Sequence, residues 1–435
     1  MKIGILGGGI TGLTIANSLR HDYGVLEKNN ECGGLCRSIK DGGFTFDYGP
    51  HVIYSGNKKN IDFILKLLNG NYEKIKRNNK IFLNGKYIKY PLENSLSELG
   101  KEEAMKCLKD YVEQYFLRER GEAKKPKNFK DWIIYRFGKR IADIYMIPYN
   151  EKVWSTKAEK MAFDWAEERV PQPPVMDVVK SARGIETEGY LIQLYYHYPK
   201  KGGIQAIIRA LEKGARNITT NFGVKKIRKK GTKWLVSNSK KKEEFDKLVS
   251  TIPLPELIDM LEKVPEKVKT AAHRLRFNSL IFVMIGLDSG KPNDFSAIYF
   301  PEREIKCHRV GFPPYFSKNT VPRGKYAVEA EITATEGDDT WKMSDEKIIA
   351  NIVNGLHQRK IIDKKKVCYK KVERYKYAYI VFGLEHNKNI KIVKDYLKKI
   401  GIEICGRFGE FEYLNMDKCI ERAHAMAEKL NKVRQ

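Results

Sequence analysis

The chain has 435 residues, of which 42% are hydrophobic and 31% charged, and it carries a formal net charge of +27. A chain of this length usually folds around more than one hydrophobic core, so we expect two connected globular domains. The composition is that of a folded protein and excludes a disordered chain. No run of eighteen apolar residues occurs, so we predict no integral membrane segment. The charge favours an anionic ligand, but the lysines are spread along the sequence, and a generally lysine-rich composition explains it equally well.

Strand-like and helix-like segments alternate along the chain. Short apolar runs predict strands, and Leu, Ile and Tyr at three- and four-residue intervals predict helices. Asn84-Gly85 between two short strands predicts a two-residue hairpin turn. The predicted strands are Lys2–Leu6, Tyr23–Leu26, Phe44–Phe46, Ile81–Leu83, Asn217–Val224, Trp234–Val236, Lys247–Thr251 and Leu280–Leu287. The predicted helices are Thr11–Leu19, several between Ser95 and Ile147, Ile204–Leu211 and Asp417–Leu430.

The opening segment, Met1 to Leu19, superficially resembles a secretory signal because a lysine precedes an apolar run. Three consecutive glycines interrupt that run, and no small-residue cleavage site follows, so we expect a cytoplasmic protein. The seven cysteines are odd in number and form no paired CxxC blocks. They therefore favour reduced thiols and predict no metal site.

A glycine motif lies between the first strand and the first helix. It reads Gly7-x-Gly9-x-x-Gly12, and Glu27 follows at the end of the second strand. Gly7 suits the tight turn, Gly9 lets the backbone approach a pyrophosphate, and Gly12 lets helix and strand pack closely. An acidic residue at the position of Glu27 accepts hydrogen bonds from ribose hydroxyls. The motif predicts a dinucleotide cofactor, either NAD or FAD.

A second motif distinguishes these cofactors. Gly33-Gly34-Leu35-Cys36-Arg37-Ser38 follows Glu27 and resembles the second signature of the amine oxidase-like flavoproteins. In those proteins the glycines lie along the cofactor and the arginine reaches a phosphate or the flavin. The fork of a guanidinium group suits phosphate oxygens. The two motifs together predict FAD.

Seven further strings, in family order along nearly the whole chain, resemble motifs of the UDP-galactopyranose mutases. Protoporphyrinogen oxidase-like proteins share the flavin motifs, so the amine oxidase superfamily is the broader resemblance. The strings are Asp47–Ser55 (DYGPHVIYS), Tyr90–Asn94 (YPLEN), Pro148–Trp154 (PYNEKVW), Trp165 with Glu168–Val170 (ERV), Tyr198–Ile204 (YPKKGGI), Ile298–Glu302 (IYFPE) with Arg309, and Gly406–Asp417 (GRFGEFEYLNMD).

The resemblance implies an α/β fold with two domains. A Rossmann-type (GR2-like) FAD-binding domain would be assembled from residues 1–80, 200–265 and 395–435. A substrate domain would take residues 81–199 and 266–394, with helices in the first part and an antiparallel sheet in the second.

The resemblance also implies an activity. UDP-galactopyranose mutases are intramolecular transferases (isomerases) that interconvert the pyranose and furanose forms of a UDP-sugar. Their reduced flavin forms an N5–sugar adduct while UDP leaves and returns, with no net redox change. Such an enzyme needs NAD(P)H or another reductant. The alternative is an FAD-dependent oxidase of the protoporphyrinogen or amine oxidase type. We expect no nucleic acid partner, because the chain lacks motifs that read RNA or DNA.

Site residues follow from the motif positions. The resemblance implies catalytic roles for His51, Arg169, Arg309 and Arg407, because guanidinium groups bind a diphosphate bidentately and stay charged. It implies substrate contacts from Tyr299, Tyr379, Tyr413 and Gln193. It implies cofactor contacts from Gly7, Gly9, Ile10, Thr11, Gly12, Glu27, Lys28, Gly33, Gly34, Leu35, Arg37, Gly49, Pro50, His51, Val224, Gly406, Arg407, Asn415 and Met416, with the carbonyl of Pro50 near N5.

Several assignments have simpler alternatives. Arg169 could be a surface residue paired with Glu167, Arg309 could be exposed, and Tyr413 could be a core residue. Two positions depart from the mutase pattern: Pro50 replaces a glycine in the flavin-facing loop, and Glu412 stands where mutases commonly carry arginine. These departures leave the sugar nucleotide open.

Overall fold

The computed structural model describes residues 1–167, 169–170, 172–188, 194–290 and 294–432. Its first layer is a parallel five-stranded sheet in the order Ile402–Ile404, Lys247–Ser250, Lys2–Leu6, Asp22–Leu26 and Ile218–Thr219. The strand Lys2–Leu6 is buried on both faces, which explains its continuous apolar sequence. The Rossmann-type fold of this region is therefore confirmed.

The helices that cover the parallel sheet come from both ends of the chain. Ile10–Ser18 packs against Met416–Asn431 and Gln205–Gly214. The core between helices and sheet contains Ile5, Val25 and Val249, all fully buried. Because the carboxyl ends of parallel strands lie at one edge, the loops after Leu6, Leu26 and Ser250 meet there.

The second layer is a seven-stranded sheet. Its strands stand in the order Val367–Val381, Arg276–Leu287, Tyr326–Ala334, Arg309–Gly311, Ala297–Tyr299, Asn79–Leu83 and Lys86–Lys89. The first five pair antiparallel, as predicted for this part of the chain. The sheet extends beyond that segment, because Ala297–Tyr299 pairs in parallel with Asn79–Leu83, which adds the hairpin Asn79–Lys89.

Helices cover one end of this sheet and form a core of their own. Phe129, Trp132 and Phe137 are buried there, and Trp154 packs with Trp165 at a ring distance of 4.9 Å. The α-helices of this layer are Lys101–Glu119, Phe129–Phe137, Lys139–Ile141, Ile147–Trp154, Asp164–Glu167 and Val175–Ala182. No helix in the described ranges is long and apolar enough to cross a membrane.

The remaining elements complete the two layers. The other α-helices in the described ranges are Lys58–Leu68, Leu254–Met260, Glu266–His273, Pro313–Phe316, Asp345–Gln358 and His386–Ile400. Smaller sheets pair Ser38–Asp41 with Phe44–Asp47, pair Glu73–Lys76 with Tyr195–Tyr198, and join Lys226–Lys230, Lys233–Ser237 and Lys242–Phe245.

One predicted strand is largely wrong. Of Asn217–Val224, only Ile218–Thr219 is a strand. Asn221 then adopts a left-handed conformation with φ of 55°, and the amide of Phe222 donates to the carbonyl of Glu27 at 2.8 Å. The chain thus turns toward the cofactor motif instead of continuing the sheet.

The predicted domain boundaries stay predictions. The strand Asn79–Leu83 crosses the boundary at residue 80 and belongs to the large sheet. The helix His386–Ile400 crosses the boundary at residue 394.

Candidate active site

A cavity of about 920 Å³ lies between the two layers. At one end it is lined by the carboxyl ends of the parallel strands, represented by Leu6 and Thr251. At the other end it is lined by residues of the large sheet, represented by Tyr299 and Tyr379. A position at the carboxyl edge of a doubly wound sheet is the usual place for a nucleotide ligand.

The first end of the cavity is built mainly from backbone. A Cβ atom placed on Gly9 would meet nothing within 4 Å, so the peptide chain there faces open space. A Cβ atom on Gly12 would stand 2.0 Å from the carbonyl oxygen of Gly7, which shows how closely helix and strand approach. No side chain caps the first turn of the helix Ile10–Ser18, so its amides remain available to an anion. This cradle fits a pyrophosphate.

Glu27 is held in place at the same end. One of its carboxylate oxygens accepts the amide of Gly8 at 2.8 Å, and the other accepts the amide and the side chain of Asn29 at 2.9 and 2.8 Å. The buried carboxylate lines the cavity and has lone pairs left. It is therefore oriented to accept hydrogen bonds from a ribose.

The second glycine motif is joined to the first. The amide of Gly33 donates to the carbonyl of Gly8 at 2.9 Å. Arg37 then enters the cavity with its guanidinium carbon 5.0 Å from the ring centroid of Tyr48 and 5.8 Å from that of Tyr375. Two tyrosine rings thus hold a cation beside the cofactor cradle, where it suits a phosphate or the edge of a flavin.

The loop Gly49–His51 forms the middle wall of the cavity. Gly49 has a φ of 87°, a conformation that favours glycine, and its amide donates to Glu329 Oε1 at 2.9 Å. His51 Nδ1 lies 2.9 Å from the carbonyl oxygen of Gly49. Burial lowers the pKa of His51 to about 4, so the ring is neutral. Since a carbonyl only accepts, Nδ1 carries the proton and Nε2 is left as an acceptor.

At the second end of the cavity two guanidinium groups contact the ring of Tyr413, and of the two only Arg407 lines the cavity. The guanidinium carbons of Arg169 and Arg407 lie 4.2 and 4.3 Å from the ring centroid of Tyr413. Arg407 donates to the backbone carbonyls of Ala378 and Leu414 at 2.8 and 3.3 Å. In the part of the chain that the structure describes, neither arginine has a carboxylate within ion-pair distance. Their charges are therefore left for an anion.

Arg309 is different. Its Nε and Nη2 donate to the two oxygens of Glu331 at 2.5 and 2.8 Å, and Glu331 is fully buried. Arg309 lines the cavity and is not a surface residue, but a carboxylate already balances its charge. The catalytic role of Arg309 stays a prediction, and its charge, unlike those of Arg169 and Arg407, is shared with Glu331.

The cavity tyrosines remain hydrogen-bond donors. Burial raises the pKa of Tyr299 and of Tyr379 above their ordinary values, so both hydroxyls keep their protons. Asn79 donates to the Tyr299 hydroxyl at 2.8 Å, which leaves the tyrosine's own proton for a ligand. Arg309 Nη2 lies 3.5 Å from the Tyr379 hydroxyl, which is the long limit of a hydrogen bond.

Most predicted site residues line this one cavity. They are Gly7, Gly9, Ile10, Thr11, Glu27, Lys28, Gly33, Gly34, Leu35, Arg37, Gly49, Pro50, His51, Val224, Tyr299, Arg309, Tyr379, Arg407, Tyr413, Asn415 and Met416.

Three predicted positions among the described residues do not line the cavity. Gly12 lies behind the cradle, and a Cβ on Gly406 would meet the Thr11 side chain at 2.4 Å, so both glycines act through packing. Arg169 reaches the cavity only through Tyr413 and through Asn415, whose Oδ1 it meets at 3.5 Å. Gln193 lies outside the described residues.

Glu412, which departs from the mutase pattern, points away from the cavity. Its carboxylate pairs with Lys394 at 2.7 Å and with Arg422 at 3.4 Å. The residue therefore gives no direct information about the sugar nucleotide.

Sequence reasoning missed two groups in the cavity wall. Arg77 lines the cavity, its Nη1 is buried without a hydrogen-bond partner in the described ranges, and its guanidinium lies 5.3 Å from the Tyr90 ring. Tyr54 accepts a hydrogen bond from Asn415 at 2.9 Å. Tyr54 stands inside a recognised motif and could have been found there, whereas Arg77 lies in no recognised string.

Comparisons with known proteins agree with the fold. A crystal structure of reduced UDP-galactopyranose mutase matches with a TM-score of 0.90 and 24% identity over 99% of this chain and 93% of the other. A candidate protoporphyrinogen oxidase from Exiguobacterium sp. 255-15 matches with a TM-score of 0.77 and 16% identity over 99% and 98%. At these identities, both structures show a shared fold.

Comparison of sequences identifies the family of this chain. The 4,4'-diapophytoene desaturase of Staphylococcus aureus (strain COL) is 43% identical over 56 residues, but the match spans only 12% of this chain and 11% of that enzyme. The profile of the family described as flavin containing amine oxidoreductase matches residues 10–387. The chain therefore belongs to the flavin-containing amine oxidoreductase family, whose cofactor is FAD.

Proposed function

We propose that this protein is an FAD-dependent mutase that interconverts the pyranose and furanose forms of a UDP-sugar, with UDP-galactose as the leading substrate. One observation carries the proposal. Arg169 and Arg407 converge on Tyr413 without a carboxylate partner among the described residues, beside a cradle suited to FAD. Two unbalanced guanidinium groups in a half-buried site are costly unless an anion joins them, and a diphosphate supplies the charge and the bidentate geometry.

The cavity also suits the chemistry. The chemistry that reduced FAD supplies when bound is nucleophilic, directed at the anomeric carbon of the sugar. Arg169 and Arg407 would stabilise the negative charge that grows on the departing diphosphate. The hydroxyls of Tyr299 and Tyr379 would donate to its oxygens, since both keep their protons. These side chains would also hold the diphosphate nearby until it returns to the sugar.

His51 would orient the reacting groups without carrying charge. The ring carries its proton on Nδ1 and donates it to the carbonyl of Gly49, so Nε2 can only accept a hydrogen bond. A neutral acceptor in this wall suits a flavin N–H or a sugar hydroxyl.

The alternative is an oxidase of the protoporphyrinogen or amine oxidase type. The family's own description favours it, and so do the tyrosines that line the cavity, among them Tyr54, Tyr299, Tyr379 and Tyr413. A protonated amine, however, would be repelled by Arg169 and Arg407, which have no balancing carboxylate in the described chain. The propionate carboxylates of a porphyrinogen would pair with the same arginines. The charge distribution therefore argues against an amine substrate, and the assay below separates the mutase from a porphyrinogen oxidase.

The experiment is an anaerobic assay of the FAD-loaded protein. We expect the dithionite-reduced protein to convert UDP-galactofuranose to UDP-galactopyranose, followed by chromatography, and the oxidised protein to be inactive. NAD(P)H should replace dithionite as reductant if the protein accepts it. No conversion under reducing conditions, together with oxygen consumption on a porphyrinogen or an amine in a separate aerobic assay, would refute the mutase and support the oxidase.

A further inference from the structure

Two buried glutamates stand on the strand Tyr326–Ala334. Glu329 and Glu331 are two residues apart, so they share one face of the strand, and their exposed fractions are 3% and 0%. Glu331 forms the bidentate pair with Arg309. Glu329 has no ion-pair partner in the described ranges, and its Oε1 accepts the amide of Gly49 at 2.9 Å. The carboxylate of Glu331 balances the charge of Arg309, whereas the carboxyl group of Glu329 holds the backbone of Gly49.

The backbone that Glu329 holds is the loop in the middle of the cavity wall. Gly49 is fixed on both sides, because its amide donates to Glu329 and its carbonyl accepts from His51 Nδ1. A Cβ atom at Gly49 would stand 3.4 Å from Glu331 Oε2, so the loop lies directly on the glutamate pair. Pro50 follows and has no amide of its own to anchor it. The Gly49 amide is therefore the anchor of this turn.

We propose that Glu329 is a positioning residue, whose hydrogen bond to the Gly49 amide sets where the Pro50 carbonyl and the His51 ring meet the reactive edge of the flavin. The inference rests on the proposed function only in taking this loop as the wall that faces the flavin ring. Glu329 itself does not line the cavity and acts through the loop.

The charge state of Glu329 agrees with such a role. Burial raises the pKa of Glu329 well above its usual range, the negative charges of Glu331 and Asp47 add to the increase, and the Gly49 amide and Arg309 oppose it less. Tyr198, which also faces Glu329, keeps its proton because burial and Asp47 raise its pKa. The carboxyl therefore holds its proton at neutral pH and adds no negative charge beside a reduced flavin.

The test compares three variants by two measurements. Glu329→Ala removes the acceptor, and Glu329→Gln keeps a neutral acceptor of the same shape. Glu336→Ala, at an exposed glutamate just beyond the same strand, is the matched control. The measurements are the midpoint potential of the bound flavin, which needs no sugar substrate, and the steady-state constants of the reduced enzyme.

We expect Glu329→Ala to bind FAD, because the pyrophosphate cradle is remote, but to shift the flavin potential and lower kcat roughly 10- to 100-fold with KM little changed. Glu329→Gln should restore both quantities, and Glu336→Ala should match the parent. An unchanged potential in Glu329→Ala, or an equal defect in Glu329→Gln, would overturn the inference. A shifted potential in a protein without mutase activity would keep the positioning role and refute only the proposed reaction.

Discussion

The two ends of the cavity recognise their ligands by different means. At the cofactor end, an uncapped helix and the backbone of Gly7, Gly9, Gly33 and Gly34 face the cavity, and few side chains are required. At the substrate end, guanidinium and phenol groups from distant parts of the chain are expected to contact the ligand, and Arg169, Arg309 and Arg407 come from three separate segments. The first end depends on local chain geometry, whereas the second depends on how the domains pack.

The arginines of the cavity also differ in whether a carboxylate balances their charge. Arg309 is tied to the fully buried Glu331, so its charge is internal to the fold. Arg407 is held by backbone carbonyls, which orient it without balancing its charge. An arginine in an ion pair contributes first to stability, while an arginine on neutral acceptors is available to a ligand. The four predictions below test these distinctions, beginning with the largest expected effect.

The largest effect concerns the stability of the substrate end. Arg309→Ala leaves the buried carboxylate of Glu331 without its partner, so we expect the free energy of unfolding to fall by about 3–5 kcal/mol. The measurement is urea unfolding of the FAD-loaded protein at pH 7. The double variant Arg309→Ala with Glu331→Gln should recover most of the loss. A single variant as stable as the parent would mean that the pair is not internal to the fold.

The next effect concerns ligand affinity at the same end. Arg407→Ala should weaken UDP binding to the reduced protein by roughly 30- to 1,000-fold, because diphosphate charge is left unpaired. Its stability should change much less than that of Arg309→Ala. Titration calorimetry measures the affinity, and flavin absorbance checks that FAD is retained. Arg323→Ala, at an exposed arginine, is the control. Unchanged UDP affinity would remove Arg407 from the substrate site.

A third effect depends on pH at the border between the two ends. Asp47 is buried, and burial raises its pKa to about 6 although Ser38 and Tyr198 donate hydrogen bonds to it. A raised folded-state pKa gives stability that is complete below pH 4 and is lost as the pH rises through 6. Between pH 4 and 7, the free energy of unfolding of the parent should therefore fall by up to about 3 kcal/mol relative to that of Asp47→Asn. Urea unfolding across this range measures the difference, and a flat difference would contradict the assignment.

The smallest effects belong to the glycine cradle. Gly12→Ala places a methyl group against the Gly7 carbonyl, so we expect a loss of stability of about 1–3 kcal/mol even without FAD. Gly9→Ala meets open space, so the FAD-free protein should keep its stability while FAD affinity falls. Thermal unfolding with and without FAD separates the two variants. Equal destabilisation of both FAD-free proteins would show that Gly9 is a packing residue.

The cofactor end could be predicted from sequence because its signals are local. The spacing of Gly7, Gly9 and Gly12 and the acidic Glu27 encode a turn, a helix start and a strand end within one unit. The hairpin turn at Asn84-Gly85 could be predicted equally well, and both residues have the positive φ that such a turn requires, at 51° and 76°. By contrast, the strand predicted over Asn217–Val224 fails because Asn221 reverses the chain toward Glu27.

The substrate end was only partly predictable. The resemblance to the mutases pointed to Arg309 and Tyr379, but no sequence pattern showed that Glu331 would neutralise Arg309, because their pairing depends on the register of two strands. Arg77 enters the cavity from the end of a short exposed strand, and its neighbours carry no motif. Glu329 reads in sequence as one more charged residue, and only its burial against Gly49 reveals its role.

The claim that a nucleoside diphosphate shares the flavin cavity is tested most directly by a crystal structure of the reduced, FAD-loaded protein with UDP. We expect the diphosphate oxygens to lie within hydrogen-bond distance of Arg407 and close to the charge of Arg169, with the uridine directed away from the glycine cradle. UDP bound elsewhere, or a cavity that stays free of UDP at saturating concentration, would contradict the account.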